Sequence, residues 1–290
     1  MLVQILLSMR PRQWVKNLFV LPALVFSKHV FELGYLTRCL GGVACFCLVS
    51  GAVYLLNDVF DREQDRRHPV KARRPVASGS LSVSAALAAS GLLALAGAGG
   101  ALALRPAFGA VVLGYAGLNL AYSWWLKHVV LLDVMVVAAG FLLRALGGGV
   151  VIAVDISTWF VLCSFTLALF MAVVKRRQEL AQLDQRAGEH RPILQDYSLP
   201  FLDQLISVLT SATLVCYALY AMGVGEEPAR HRPLWWTIPM VLYGILRYLY
   251  VVYRHGGGEN PTLVIWQDRP LQLAVLLWGL SSLLGLYLLP

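Results

Sequence analysis

Residues 35–65 read YLTRCLGGVACFCLVSGAVYLLNDVFDREQD. The stretch from Tyr35 to Leu56 is almost wholly apolar, and crossing a hydrocarbon core takes roughly 20 such residues. Without an intervening Gly or Pro it passes into Asn57-Asp58-x-x-Asp61-x-x-x-Asp65, which predicts one helix leaving a membrane with acids on it. On a helix, positions 57, 61 and 65 stack at successive turns and 58 lies three before 61, so all four share one face over about 12 Å. Carboxylates at this spacing repel, more so beside a membrane, and require a cation to offset them. Oxygen-only ligands suit Mg²⁺, which keeps several waters and is usually completed by substrate phosphates. The implied ligand is a diphosphate. A plain solvated helix end, paired with Arg62, Arg66 and Arg67, is the alternative. It accounts for Glu63 and the arginines but needs no four-residue stripe.

The rest of the chain shares this character. Of 290 residues 58% are apolar and 14% charged, against about 25% charged in a soluble domain. That balance excludes a disordered chain, a nucleic-acid-binding domain and an ordinary cytosolic enzyme. It predicts an all-α polytopic membrane protein, a single integral-membrane domain over 1–290 with candidate catalytic loops at about 57–80 and 175–201. Nine candidate spans run approximately 14–31, 35–59, 81–104, 107–126, 129–152, 157–174, 202–224, 233–254 and 270–289. With the N-terminus inside, 17 of the 24 Lys and Arg fall on the inner side, 5 on the outer side, and Arg144 and Arg247 within spans. Positive residues favour the cytoplasmic face, so both long loops are expected there, in a protein integral to the cell membrane. Five cysteines, all in apolar runs and without a CxxC pair, read as small buried hydrophobes. In the opening MLVQILLSMRPRQW the charges follow the apolar residues, the reverse of a signal peptide, and a short interfacial helix is expected.

The other charges are placed as tellingly. After the acids comes HPVKARRPVASG, in which His68-Pro69 stops the helix and Lys71, Arg73 and Arg74 follow. A basic loop folding over an acidic helix end would enclose a diphosphate from both sides. The sixth span closes on Lys175-Arg176-Arg177-Gln178-Glu179, with Glu179 on the same helical face as Lys175. The second and sixth spans both end in charged extensions leading to an Arg-Pro pair, a faint echo of two related halves. Arg144 lies about 20 Å into the fifth span. Costs for Arg at bilayer mid-depth start near 3 kcal/mol, so it is expected to face a cavity, on a phosphate or a structural acid. Beyond it, Gly147-Gly148-Gly149 allows a bend or close backbone approach.

The acidic motif, its HPxKxxRPxxSG continuation and the cytoplasm-facing spans resemble the UbiA superfamily of intramembrane prenyltransferases. More narrowly, RPRQWVKN at 10–17, LLDVMVVAAGFLLRALGGG at 131–149 and KRRQEL at 175–180 resemble the decaprenyl-phosphate phosphoribosyltransferases. The resemblance implies a UbiA-like bundle of nine transmembrane helices with a cytoplasm-facing cavity. It implies transfer of 5-phosphoribosyl from phosphoribosyl diphosphate to a polyprenyl phosphate, with Mg²⁺ and release of diphosphate, for lipid-linked pentose in cell-wall arabinan precursors. Asp58, Asp61 and Asp65 would be catalytic, holding the metal with Asn57. Lys16, Lys71, Arg74, Lys127, Arg144, Lys175, Arg176 and Glu179 are the candidate substrate-binding residues. Aromatic prenyltransferases of the superfamily carry a second acidic motif after the sixth span, where this chain has KRRQE. Bases there suit bare phosphates on both substrates. A UbiA-type aromatic prenyltransferase and a lipid-phosphate transporter are the rival readings, and homo-oligomers are open.

Overall fold

The computed structural model describes residues 1–68, 70–183, 192–225, 234–254, 264 and 267–288, and among these there is no strand. Pro69, Arg186, Arg191, Arg230 and Arg232, used above for the loop and the orientation, lie outside the described residues. The helices are α1 (Leu2–Ser8), α2 (Pro22–Phe26), α3 (Leu33–Phe60), α4 (Arg62–Arg66), α5 (Pro75–Ser78), α6 (Val83–Leu104) and α7 (Pro106–Trp124). They continue as α8 (Leu132–Ile152), α9 (Thr158–Leu183), α10 (Leu199–Met222), α11 (Ile238–Arg254) and α12 (Arg269–Tyr287). Short 3₁₀ segments link them at Pro11–Val20, Lys71–Arg73, Leu126–His128, Pro192–Asp196 and Trp235–Thr237.

Among the described residues, seven helices are long and apolar enough to cross a membrane, and they match seven of the nine expected spans. The fourth expected span is α7, a 19-residue helix in which Asn119, glycines and tyrosines thin the hydropathy. The first is not one α-helix. Pro11 opens a ten-residue 3₁₀ segment, Pro22 starts the five-residue α2, and the chain turns at Lys28 with φ 66°. Proline supplies no N–H for an i→i−4 bond, so Pro22 divides a stretch whose composition reads as one span.

Contacts sort the chain into two compact units, Met1–Trp125 with Leu143–Asp155, and Leu126–Leu142 with Ile156–Pro290. Helix α8 therefore gives its first half to the second unit and its second half to the first. The first unit centres on Phe46 of α3, which meets Phe108 and Tyr115 of α7 edge-on with ring centroids 5.8 and 5.3 Å apart. Val20, Leu24, Val112 and Ile152 close this core. The second centres on Phe170, Val174, Leu202, Ile206 and Tyr248. Four Gly-allowed contacts tighten the first unit; the closest is at Gly148, where an added Cβ would overlap the Val20 carbonyl oxygen. The expected close approach in Gly147–Gly149 is thus real, and its partner is the 3₁₀ segment. Gly148→Ala should force α8 from that segment and cost about 1–3 kcal/mol. Gly114→Ala, where an added Cβ meets nothing within 4 Å, is the control. Thermal unfolding in detergent should show a lower midpoint for Gly148→Ala alone; equal midpoints would refute the packing argument.

Candidate functional site

The acidic motif sits where α3 gives way to α4. Helix α3 ends at Phe60, and Asp61, half-buried, takes a non-helical φ of −88° and ψ of 7°. The turn is nonetheless nearly continuous, since Asp61 N–H donates to Asn57 O at 2.9 Å and Asp65 N–H to Asp61 O at 2.8 Å. Asp58 and Asp65 are 1% and 2% exposed, a depth that demands compensating charge. Arginines from two directions provide it. Arg10 Nη2 donates to Asp58 Oδ1 at 2.5 Å. Arg74 Nη1 donates to Asp65 Oδ2 at 2.6 Å and to Asp58 Oδ1 at 3.3 Å, so one guanidinium bridges both acids. The solvated-end alternative holds for Glu63, which pairs with Arg66 at 3.2 Å on the exposed side.

The basic loop folds as local chemistry dictates. His68 Nδ1 accepts the N–H groups of Val70 and Lys71 at 3.2 and 3.3 Å. Arg66 Nε donates to Ala77 O at 3.0 Å, tying α4 to α5. Arg74 is extended, with Pro75 opening α5 behind it, and that places the guanidinium over the acids. Lys71 is exposed, on the 3₁₀ turn before Arg74. Arg10 was missing from the sequence-derived site. It holds a left-handed φ of 54° before Pro11, a conformation costing a non-Gly residue about 1–2 kcal/mol. Its guanidinium also lies 4.8 Å from the Tyr54 ring centroid. Its only sequence signal is its place in RPRQWVKN, where a positive charge reads equally well as a membrane anchor.

Among the described residues, no group of three His, Cys, Asp or Glu is gathered closely enough to hold a metal ion. The arginine pairs draw Asp58 and Asp65 to themselves. The donor set still fits a hard divalent cation, because every candidate atom is oxygen and Asn57 Oδ1 is buried without a hydrogen-bond partner.

Arg144 is 5% exposed and lies in the same unit. The expected phosphate or acid is replaced in two of its bonds by neutral groups. Its Nε donates to Asn17 Oδ1 at 2.8 Å and its Nη2 to Tyr115 Oη at 2.7 Å. Asn17 Nδ2 in turn donates to Ser50 Oγ at 3.3 Å. Lys16, half-buried, lies one residue before Asn17 on the 3₁₀ segment.

The second unit carries the other basic candidates. Arg176, 4% exposed, donates from Nε to Asp133 Oδ2 at 2.7 Å and from Nη1 to Glu179 Oε2 at 2.6 Å. Lys175 is exposed, with Nζ 3.7 Å from Glu179 Oε1. Lys127, half-buried, sits on the 3₁₀ turn Leu126–His128. The predicted Lys175, Arg176 and Glu179 therefore come together as one cluster, with Asp133 as an added member.

The profile of the UbiA prenyltransferase family matches residues 17–267. A decaprenyl-phosphate phosphoribosyltransferase of Corynebacterium glutamicum is 34% identical over 289 residues, covering 98% of this chain and 86% of that protein. One from Mycobacterium tuberculosis is 33% identical over 276 residues, covering 93% of this chain and 90% of that protein. In fold, the chain is similar to a UbiA homolog from Archaeoglobus fulgidus bound to DMAPP and Mg²⁺. The TM-score is 0.72 at 18% identity, over 99% of this chain and 100% of the other. An apolar helical bundle with this acidic centre, matched over most of its length, is an integral membrane protein, and the chain belongs to the UbiA prenyltransferase family.

Proposed function

We propose that the protein transfers 5-phosphoribosyl from phosphoribosyl diphosphate to a polyprenyl phosphate, releasing diphosphate and supplying lipid-linked pentose for cell-wall arabinan. The observation that carries this reading is the near-full-length kinship with enzymes named for that activity. Two features of the chain support it. Asp58 and Asp65 are buried under the guanidinium groups of Arg10 and Arg74, and bases stand at 175–179 where aromatic prenyltransferases of the superfamily carry a second acidic motif. We read the chain as one integral-membrane domain of nine spans in the cell membrane. Its N-terminus and its cavity face the cytoplasm, in line with the distribution of Lys and Arg.

Asn57, Asp58, Asp61 and Asp65 would hold Mg²⁺, which when bound supplies positive charge to the departing diphosphate. The chain's own groups do the rest. Arg10 and Arg74 balance the buried acids, and their forked donors suit phosphate oxygens as well as carboxylates. Lys175 and Lys127 offer cations to a substrate phosphate. The acceptor phosphate oxygen is ionised at neutral pH, so its attack on ribose C1 needs no strong general base. One C1–O bond forms to that oxygen as the C1–O bond to diphosphate breaks. Positive charge gathering on the ribose is favoured beside the carboxylates.

Purified protein should convert labelled phosphoribosyl diphosphate and decaprenyl phosphate to a lipid-linked phosphoribose. Chelation by EDTA should lower the rate by about a hundredfold or more, with recovery on adding Mg²⁺. Undiminished activity in EDTA would remove the metal from the mechanism. Transfer of a prenyl chain to an aromatic acid, with no ribosylated lipid, would overturn the substrate assignment.

A further inference from the structure

The second unit contains a hydrogen-bonded hub that none of the proposed chemistry uses directly. Asp133, in the first turn of α8, is fully buried. Its Oδ1 accepts from the Tyr197 hydroxyl at 2.6 Å, and its Oδ2 accepts from Arg176 at 2.7 Å. Tyr197, 5% exposed, lies between the 3₁₀ segment Pro192–Asp196 and α10. Its oxygen accepts the Leu131 N–H at 2.8 Å. Leu131 holds a φ of 67°, a left-handed conformation that a branched side chain disfavours. Strain of this kind persists only where the surroundings fix it, and it gathers at functional positions. Here Tyr197 holds the Leu131 N–H, while the N–H groups of Val134 and Met135 hold its carbonyl. One phenol thus ties together a loop returning from the α9 side, the strained entry to α8 and, through Asp133, the basic end of α9.

Arg176 was expected to bind substrate, yet two of its donors are engaged by acids of its own unit. A guanidinium held on a fully buried carboxylate is poorly suited to release it for a ligand, because the acid would be left uncompensated. Its neighbour Lys175 is exposed, and Lys127 stands on the turn four residues before Leu131. Both cations are therefore placed by backbone that the hub holds.

We infer that Asp133 and Tyr197 are positioning residues for anionic substrate: through Arg176 and the strained Leu131 they set Lys175 and Lys127 at the distance a substrate phosphate requires. The inference rests on the phosphoribosyl-transfer reading, and concerns how one basic face of it is built. The hub is not itself a pH device. Burial, and then the hydrogen bond given to Asp133, push the Tyr197 phenol well above its ordinary range, so it stays a donor at any physiological pH.

Tyr197→Phe removes one oxygen and keeps the ring in its core. The steady-state constants for phosphoribosyl diphosphate and decaprenyl phosphate would be measured separately for wild type, Tyr197→Phe and Asp133→Asn. For one substrate KM should rise about tenfold, a 1.4 kcal/mol change in binding, while kcat stays within about threefold. The substrate affected is the one whose phosphate this face holds. The double variant should be no worse than the poorer single one, because both act through one hub. Calorimetric binding of phosphoribosyl diphosphate and of decaprenyl phosphate, each alone, gives a readout independent of turnover. Unchanged KM for both substrates in folded Tyr197→Phe, or a fall in kcat alone in step with the folded fraction, would overturn the inference. Wild-type protein that binds either substrate but transfers nothing would defeat the functional reading instead. The hub would then stand if Tyr197→Phe weakens that binding about tenfold, and fall if it does not.

Discussion

Asp65→Asn is expected to lower phosphoribosyl transfer by about a thousandfold while leaving the protein folded and inserted. A single electrostatic contact at a transition state is commonly worth about 10²–10³ in rate, and Asp65 enters the site in two capacities. It is one of the proposed ligands of a divalent cation, and it is the partner of Arg74 at 2.6 Å. The amide keeps the shape and one acceptor oxygen, so the loop still closes, but the charge that binds a cation is gone. Folding should change far less than activity. Losing one charged hydrogen bond costs about 1.5–3 kcal/mol, and part of that returns as the two buried carboxylates stop repelling each other. Asp58 retains Arg10 and Arg74 as partners throughout. Asp61→Asn should fall comparably in rate, since the mechanism gives it the same ligand role. Glu63→Gln is the control, because its exposed pair with Arg66 contributes roughly nothing to stability or rate. Transfer rates would be compared with thermal midpoints. Near-normal transfer in both Asp61→Asn and Asp65→Asn would end the metal assignment.

What the chain shows in sequence and what it conceals divide along physical lines. Seven spans are legible because 20 apolar residues admit hardly any other solvent. The first expected span is not one α-helix, because Pro22 interrupts its backbone hydrogen bonding. The acidic stripe is legible because its members lie within nine residues of one another. Of their counter-ions, Arg74 is legible in the loop expected to fold over them, whereas Arg10 is not, because it is 48 positions from Asp58. The same holds for the second unit, where Asp133 meets Arg176 across 43 positions and Tyr197 across 64. Residue type and spacing predict a need for charge compensation, but a tertiary partner has to be seen. KRRQE illustrates the point. As a sequence it reads as a bare basic face, whereas folded it is a cluster whose most buried base, Arg176, already has two carboxylates.

Arg144 carries the second large effect, and there it falls on stability. Its depth predicts shelter from lipid, which its 5% exposure bears out, but its observed partners reverse the ordinary expectation for a removed ion. Arg144→Met should destabilise the first unit, even though it abolishes a buried charge that is costly to bury. Relief would win if the charge stood alone. It does not, because the guanidinium lies 4.5 Å from the Tyr115 ring centroid and donates to Asn17 and Tyr115. Methionine leaves the Asn17 amide and the Tyr115 hydroxyl each short of a partner in an apolar interior, at about 1–3 kcal/mol apiece. Two such losses exceed the partial relief from removing a charge already held by favourable contacts. The midpoint of thermal unfolding in detergent should drop on the order of 5–10 °C. Adding Tyr115→Phe to Arg144→Met should recover part of that drop, since it removes one orphaned hydroxyl. Tyr115→Phe alone should cost less than Arg144→Met, because the Asn17 bond and the stacked ring both remain. A midpoint for Arg144→Met equal to or above wild type would mean that desolvation of the guanidinium outweighs these contacts. The arginine would then be kept for a ligand rather than for the fold.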